Sequence, residues 1–229
     1  MFVFTIVVLG KHISPSRAPL LFCIFGMATQ FFDFYTVPPI TFALPVLMLI
    51  MDDSYRDKRW GTVMKTFGAW LYGYISLWLL KLALVSLMPG VNGFQDGFSS
   101  LQYRLGANGN FGNEALAAIK NALINVWWMS CPGENELLVF LGLVLLVAVG
   151  AFRLWKHKGV GALLSCSAFL AVAAVPVIWT IIAARPMNIH AWFQYRIFLP
   201  VYAGIFMFFT QSLQECPPFD KRLRKKKTV

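Results

Sequence analysis

Charge is what this chain has least of, and acid is the scarcer sign. Only 13% of its 229 residues are charged, with ten Asp and Glu against twenty Lys and Arg. A soluble domain carries about 25% charged residues and about 45–50% apolar ones. So little charge beside 58% apolar residues excludes an ordinary soluble domain. Cysteine is limited to four residues and histidine to three. Their positions make neither a disulfide framework nor a metal-ligand spacing, so no metal site is expected. The chain also has no Walker loop, no Rossmann glycine pattern, no HExxH and no GxSxG. A soluble-type ATPase and a zinc protease are thereby excluded. No internal repeat is visible, which argues against a transporter built from duplicated halves.

What the chain has instead is apolar length. The mean hydropathy is +0.64, with 21 Phe and 8 Trp. Apolar runs occupy 1–10, 18–32, 36–51, 62–88, 137–155, 160–183 and 196–213. A membrane helix needs about 20 residues, and most of these runs reach or approach that length. The expected fold is all-α: a polytopic membrane helical bundle of about six spans within a single integral membrane domain. The first run is too short to span and lacks the basic region of a signal peptide. It reads as a partial N-terminal span, as if the chain were the C-terminal part of a longer protein.

The basic residues order the ends. Segments 11–17, 52–65, 153–158 and 214–229 hold fifteen of the twenty Lys and Arg. Segments 33–35, 89–136 and 184–196 hold Arg104, Lys120, Arg185 and Arg196, and Lys81 falls within a span. Cytoplasmic loops are enriched in Lys and Arg, so the first set is expected inside and the second outside. Multi-pass insertion in the plasma (inner) membrane with a cytoplasmic C-terminus follows. The net charge of +10 then reflects topology and attraction to anionic membrane lipid. Nucleic acid is not an expected partner.

The expected outer face holds the costly residues. In "FFDFYTVPPITFALP" (31–45), Asp33 falls between two apolar runs. It reads either as a helix cap or as a functional carboxylate. Pro38 and Pro39 suit a first helical turn, and Pro45 is expected to kink its helix. Trp70, Tyr74, Trp78 and Lys81 recur at spacings of three and four, along one helical stripe. An ammonium at Lys81 must snorkel, pair with an acid such as Asp33, or line a wet cavity.

The long loop 89–136 begins with glycine-rich polar sequence and then reads as an amphipathic helix capped by Asn113. Leu116, Ile119, Leu123 and Val126 form its apolar face, with Glu114, Ala118, Asn121 and Asn125 opposite. Such a helix lies on the outer membrane surface or packs against the bundle. The segment "ARPMNIHAWFQYR" gathers Arg185, Asn188, His190, Trp192, Gln194, Tyr195 and Arg196. Arginine forks suit phosphate oxygens, and the aromatic faces suit sugar rings.

At "LFCIFGMATQFFDFYTVPPITFALPVL", "GYISLWLLKLAL" and "NIHAWFQYR", the chain resembles bacterial multi-spanning proteins found with cell-surface polysaccharide genes. These look like the C-type glycosyltransferases, which depend on lipid-phosphate sugars. The resemblance covers most of 18–215, and its motifs are loose. It implies a polyprenyl-phosphate sugar bound at the extracytoplasmic interface, with a carboxylate activating the acceptor or holding a metal. Basic residues would stabilise the departing phosphate. Carried onto this chain, it makes Asp33 the catalytic carboxylate. Lys81, Arg185, His190, Arg196, Tyr195 and Trp192 become substrate-binding residues. Members of the group usually carry their acidic motif in a first external loop, and Asp33 lies in a later one. No cofactor is identifiable. A non-enzymatic transporter or flippase component for lipid-linked glycans fits the same features.

Overall fold

The computed structural model describes residues 13–32, 38–104, 112–118, 120, 136–189 and 195–216. Among them regular structure is entirely helical. Four helical stretches are long and apolar enough to cross a membrane: Asp53–Val85, Phe140–Lys158, Val160–Ile182 and Arg196–Glu215. The helices are α1 (Ala18–Phe31), α2 (Pro38–Ile50), α3 (Arg59–Val85) and α4 (Gly93–Arg104). After them come α5 (112–118), α6 (Glu136–Lys158), α7 (Val160–Ile182), α8 (Ala184–Ile189) and α9 (Leu199–Glu215). Two 3-10 turns, Asp53–Lys58 and Tyr195–Phe198, lead into α3 and α9. The apolar helices α1 and α2 have 14 and 13 residues. At 1.5 Å per residue each is about 20 Å long, shorter than a hydrocarbon core of about 30 Å.

Local chemistry sets these boundaries. Pro38 and Pro39 open α2, where their missing amide protons leave no bond unmade, and Pro45 lies inside it. Asp52 accepts a hydrogen bond from the Ser54 amide at 2.8 Å and so starts the 3-10 turn before α3. The expected basic loop 153–158 is instead the last turn of α6, whose Lys156, His157 and Lys158 face the negative end of the helix dipole. Gly159 alone, at φ 81°, reverses the chain into α7.

The closest packing is between α1 and α3. A methyl group on Gly26 would collide with the Trp70 carbonyl, and one on Gly73 with the Cys23 carbonyl. Without side chains at this crossing the two backbones touch, as small residues allow in membrane bundles. Beside it, Phe42 packs edge-on against Phe22 and Phe67, 5.9 and 5.2 Å between centroids. The core continues through Val46, Leu47 and Ile50 to Phe169 and Val172 of α7 and Phe208 of α9. A smaller apolar cluster joins Ala118, Ala184, Ile197 and Phe198.

Side-chain contacts sort the segments into two ends. The Tyr55 hydroxyl donates to Ile13 O at 2.9 Å, tying the start of α1 to the end of α2. Ser165 donates to Arg56 O at 2.8 Å, and Arg153 donates to Cys216 O. The starts of α1, α3 and α7 thus meet the ends of α2, α6 and α9. This is the basic end. At the opposite end, Thr29 and Thr41 hydroxyls lie 2.8 Å apart, joining the end of α1 to the start of α2.

Candidate functional site

The opposite end is built outward from α3. Its stripe faces protein along its whole length. Trp70 donates from Nε1 to Thr41 Oγ1 at 3.2 Å and stacks on Tyr74, with centroids 5.3 Å apart. One turn further, Trp78 meets Phe98 edge-on at 5.6 Å. Lys81 then donates from Nζ to Gln30 O at 2.7 Å, with Phe31 O at 3.4 Å. These carbonyls belong to the last turn of α1, where few helical amide donors remain. Lys81 therefore holds the chain two residues ahead of Asp33.

The expected polar loop after α3 is in part the helix α4. Asn92 Oδ1 accepts from the Gln95 amide at 3.1 Å, an N-cap. Gly93 and Gly97 sit one turn apart, where α4 folds back on Leu82. α4 ends at Tyr103 and Arg104, and the Tyr103 ring lies under the Arg185 guanidinium at 3.8 Å from its centroid. Arg185 has no ion pair with any described residue. One turn along α8, Asn188 donates from Nδ2 to Glu114 O at 3.1 Å and so tethers α5.

α5 differs from its sequence reading in two respects. It starts at residue 112, one before the expected cap Asn113. Ala118, placed on the polar face, is fully buried against Ala184, Ile197 and Phe198, while Leu116 is 68% exposed. Small alanines allow close seating on α8, which turns Leu116 outward. Residues Ile119, Asn121, Leu123, Asn125 and Val126 lie outside the described residues.

Of the expected site residues, the structure places Lys81 at the end of α1, Arg185 on Tyr103, and Arg196, exposed, in the turn before α9. Tyr195 opens that same turn. Asp33, His190 and Trp192 lie outside the described residues. Arg185 and Arg196 belong to the layer formed by α4, α5, α8 and the 3-10 turn. Lys81 lies on α3, beneath α4. Sequence reasoning missed Tyr103, whose signal was an aromatic one residue before Arg104 in a segment taken for loop.

It also missed the charged cluster at the basic end. Arg59 is 1% exposed. Its Nε donates to Ile50 O at 3.1 Å, Nη1 to Cys166 Sγ at 3.5 Å and Nη2 to Gln211 Oε1 at 2.9 Å. The guanidinium also sits 5.0 Å from the Phe169 ring centroid. Gln211 passes the bond on to Gln214 at 2.9 Å. Nearby, Arg56 pairs with Glu215 at 2.8 Å, and Trp60 Nε1 donates to Leu164 O at 2.7 Å. Every nitrogen of Arg59 has a partner, so this cluster fastens α2, α3, α7 and α9 together. Its chemistry is spent on the fold.

The Arg185 arrangement is different. A ring covers one face of the guanidinium, and the N–H donors point along its plane edge, where a phosphate can take two at once. No protein family, curated protein or solved structure matches this chain.

Proposed function

We propose that this chain is a multi-pass protein of the bacterial plasma membrane that binds a polyprenyl-phosphate sugar at the extracytoplasmic end and transfers the sugar during cell-surface glycan synthesis or modification. In this reading α1 and α2 cross as a short antiparallel pair beside the four long helices, giving about six spans. The basic end and the C-terminus are cytoplasmic, and α5 is part of an amphipathic segment at the outer interface. Arg185 carries the reading, because its face rests on Tyr103 while it lacks an ion pair among the described residues.

Each residue then has a role. Arg185, Arg196 and His190 hold the phosphate, and Trp192 and Tyr195 stack on the sugar. Asp33 takes the proton from an acceptor hydroxyl, whose oxygen attacks the anomeric carbon. The bond from that carbon to the phosphate oxygen breaks, and the phosphate leaves against the arginines. Lys81 acts indirectly, by fixing the end of α1 just before Asp33.

The same Arg185–Tyr103 arrangement also suits a second reading, a non-enzymatic component that grips the phosphate of lipid-linked glycans while moving them. A transfer assay with labelled polyprenyl-phosphate hexose in membranes, at matched expression, separates the two. The enzyme reading expects transfer that Arg196→Lys abolishes and Lys226→Ala leaves intact, because lysine keeps the charge but loses the fork. Equal transfer by wild type and Arg196→Lys removes Arg196 from the phosphate site. Translocation of the lipid without any transfer supports the second reading.

A further inference from the structure

Glu114 is the acid that neither reading uses. It stands on α5, in the layer that carries Arg185. Its Oε2 is shut off from solvent and takes no hydrogen bond from any described residue. Its backbone carbonyl, by contrast, is held by Asn188 at 3.1 Å. The side chain is thus fixed at its root and unsatisfied at its tip. An ionised carboxylate only accepts hydrogen bonds, and a dry oxygen without a donor costs more than a made bond returns. Packing does not explain this position, since the residues that seat α5 are Ala115 and Ala118.

Asn188 lies one turn beyond Arg185 on α8, so the guanidinium and the Glu114 root flank the same short helix. A cation suits a phosphate, and an unsatisfied acceptor suits a hydroxyl. A phosphate-linked sugar presents both groups close together. We infer that Glu114 is a ligand-binding carboxylate of this layer, whose side chain turns on its fixed root so that Oε2 accepts a hydrogen bond from a hydroxyl of the lipid-borne sugar. The inference rests on the lipid-phosphate reading and deepens it: Arg185 grips what all such lipids share, and Glu114 reads whether a sugar is attached. A site built to bond a hydroxyl discriminates strongly against the analogue lacking it.

The test uses the full chain in phosphatidylcholine nanodiscs, whose lipid supplies neither hydroxyl nor ammonium donors. Affinities are measured for polyprenyl phosphate and for the same lipid carrying a hexose. Wild type is expected to prefer the hexose lipid roughly tenfold or more, the worth of one hydrogen bond to a charged group. Glu114→Gln brings that ratio close to one, and Asp96→Asn, an exposed change on α4, leaves it as in wild type. Ligand-free Glu114→Gln melts no lower than wild type, because Oε2 makes no bond to a described residue that could be lost.

A wild-type ratio near one with tight binding of both lipids overturns the Glu114 inference and leaves the phosphate reading standing. Binding of neither lipid overturns both. An unchanged ratio in Glu114→Gln, a lower melting temperature, or failure of that variant to fold assigns Glu114 to structure and overturns the inference.

Discussion

The two ends of this helical bundle hold their charges in opposite ways. At the basic end, Arg59 donates to a helix carbonyl, a thiol and a glutamine, and Arg56 pairs with Glu215. These side chains face one another and are used up in joining four helices. At the opposite end, Arg185 lies flat on Tyr103, and Glu114 keeps a buried oxygen without a hydrogen bond among the described residues. The basic end has most of the charge and little chemistry to offer a ligand. The opposite end has few charges, and there Arg185 is held by a ring, Lys81 by carbonyls and the Glu114 backbone by an amide. Charge density alone therefore misidentifies the end that can bind.

The comparison is broken most readily at Arg59. Arg59→Ala leaves Ile50 O and Gln211 without their donor and opens a void beside Phe169. A loss of about 3 kcal/mol or more is expected. It is read as a large fall in the melting temperature of detergent-solubilised protein. Arg59→Lys should rescue only part of it, because one ammonium cannot reach three separate acceptors in a plane. A melting temperature close to wild type in Arg59→Ala would show that the basic end is not the structural clamp.

A smaller loss, about 1–3 kcal/mol, is expected for Gly73→Ala. Its methyl meets the Cys23 carbonyl, which is backbone and cannot swing away. Gly61→Ala, where a methyl meets nothing, serves as the matched control and should be stable. Equal melting of the two variants would refute the close α1–α3 crossing. Glu215→Gln should change stability least of these, by about 1 kcal/mol or less, since its partner Arg56 is 44% exposed and screened by solvent.

Much of this division was legible from the chain. Apolar runs located the four long helices. In the structure 52–60 meets 164–166 and 211–216, and 78–81 meets 30–31 and 98. What the runs could not show is direction within a helix. Arg59 counted as one more loop base, although it begins α3 and turns into the core; the hint was Gln211, a polar residue inside an apolar run. "NGFQDG" read as the glycine-rich polar start of a long loop, and glycine does weaken helices. Yet Asn92 caps α4, and its glycines let the helix fold back on Leu82. The sequence leaves Lys81 to snorkel, to pair with an acid such as Asp33 or to line a wet cavity; among the described residues, which do not include Asp33, it donates to the carbonyls at the end of α1, partners that sequence acidity does not reveal.

The most direct test of the asymmetry compares stability and binding in a single protein, Arg185→Lys. Polyprenyl phosphate is titrated into wild type and variant in nanodiscs, and both are melted without ligand. The account predicts an affinity roughly tenfold weaker, from loss of the paired phosphate bonds, with a melting temperature far closer to wild type than that of Arg59→Ala. Unchanged affinity, or a fall in melting temperature as large as that of Arg59→Ala, would contradict it, because Arg185 would then belong to the scaffold as Arg59 does.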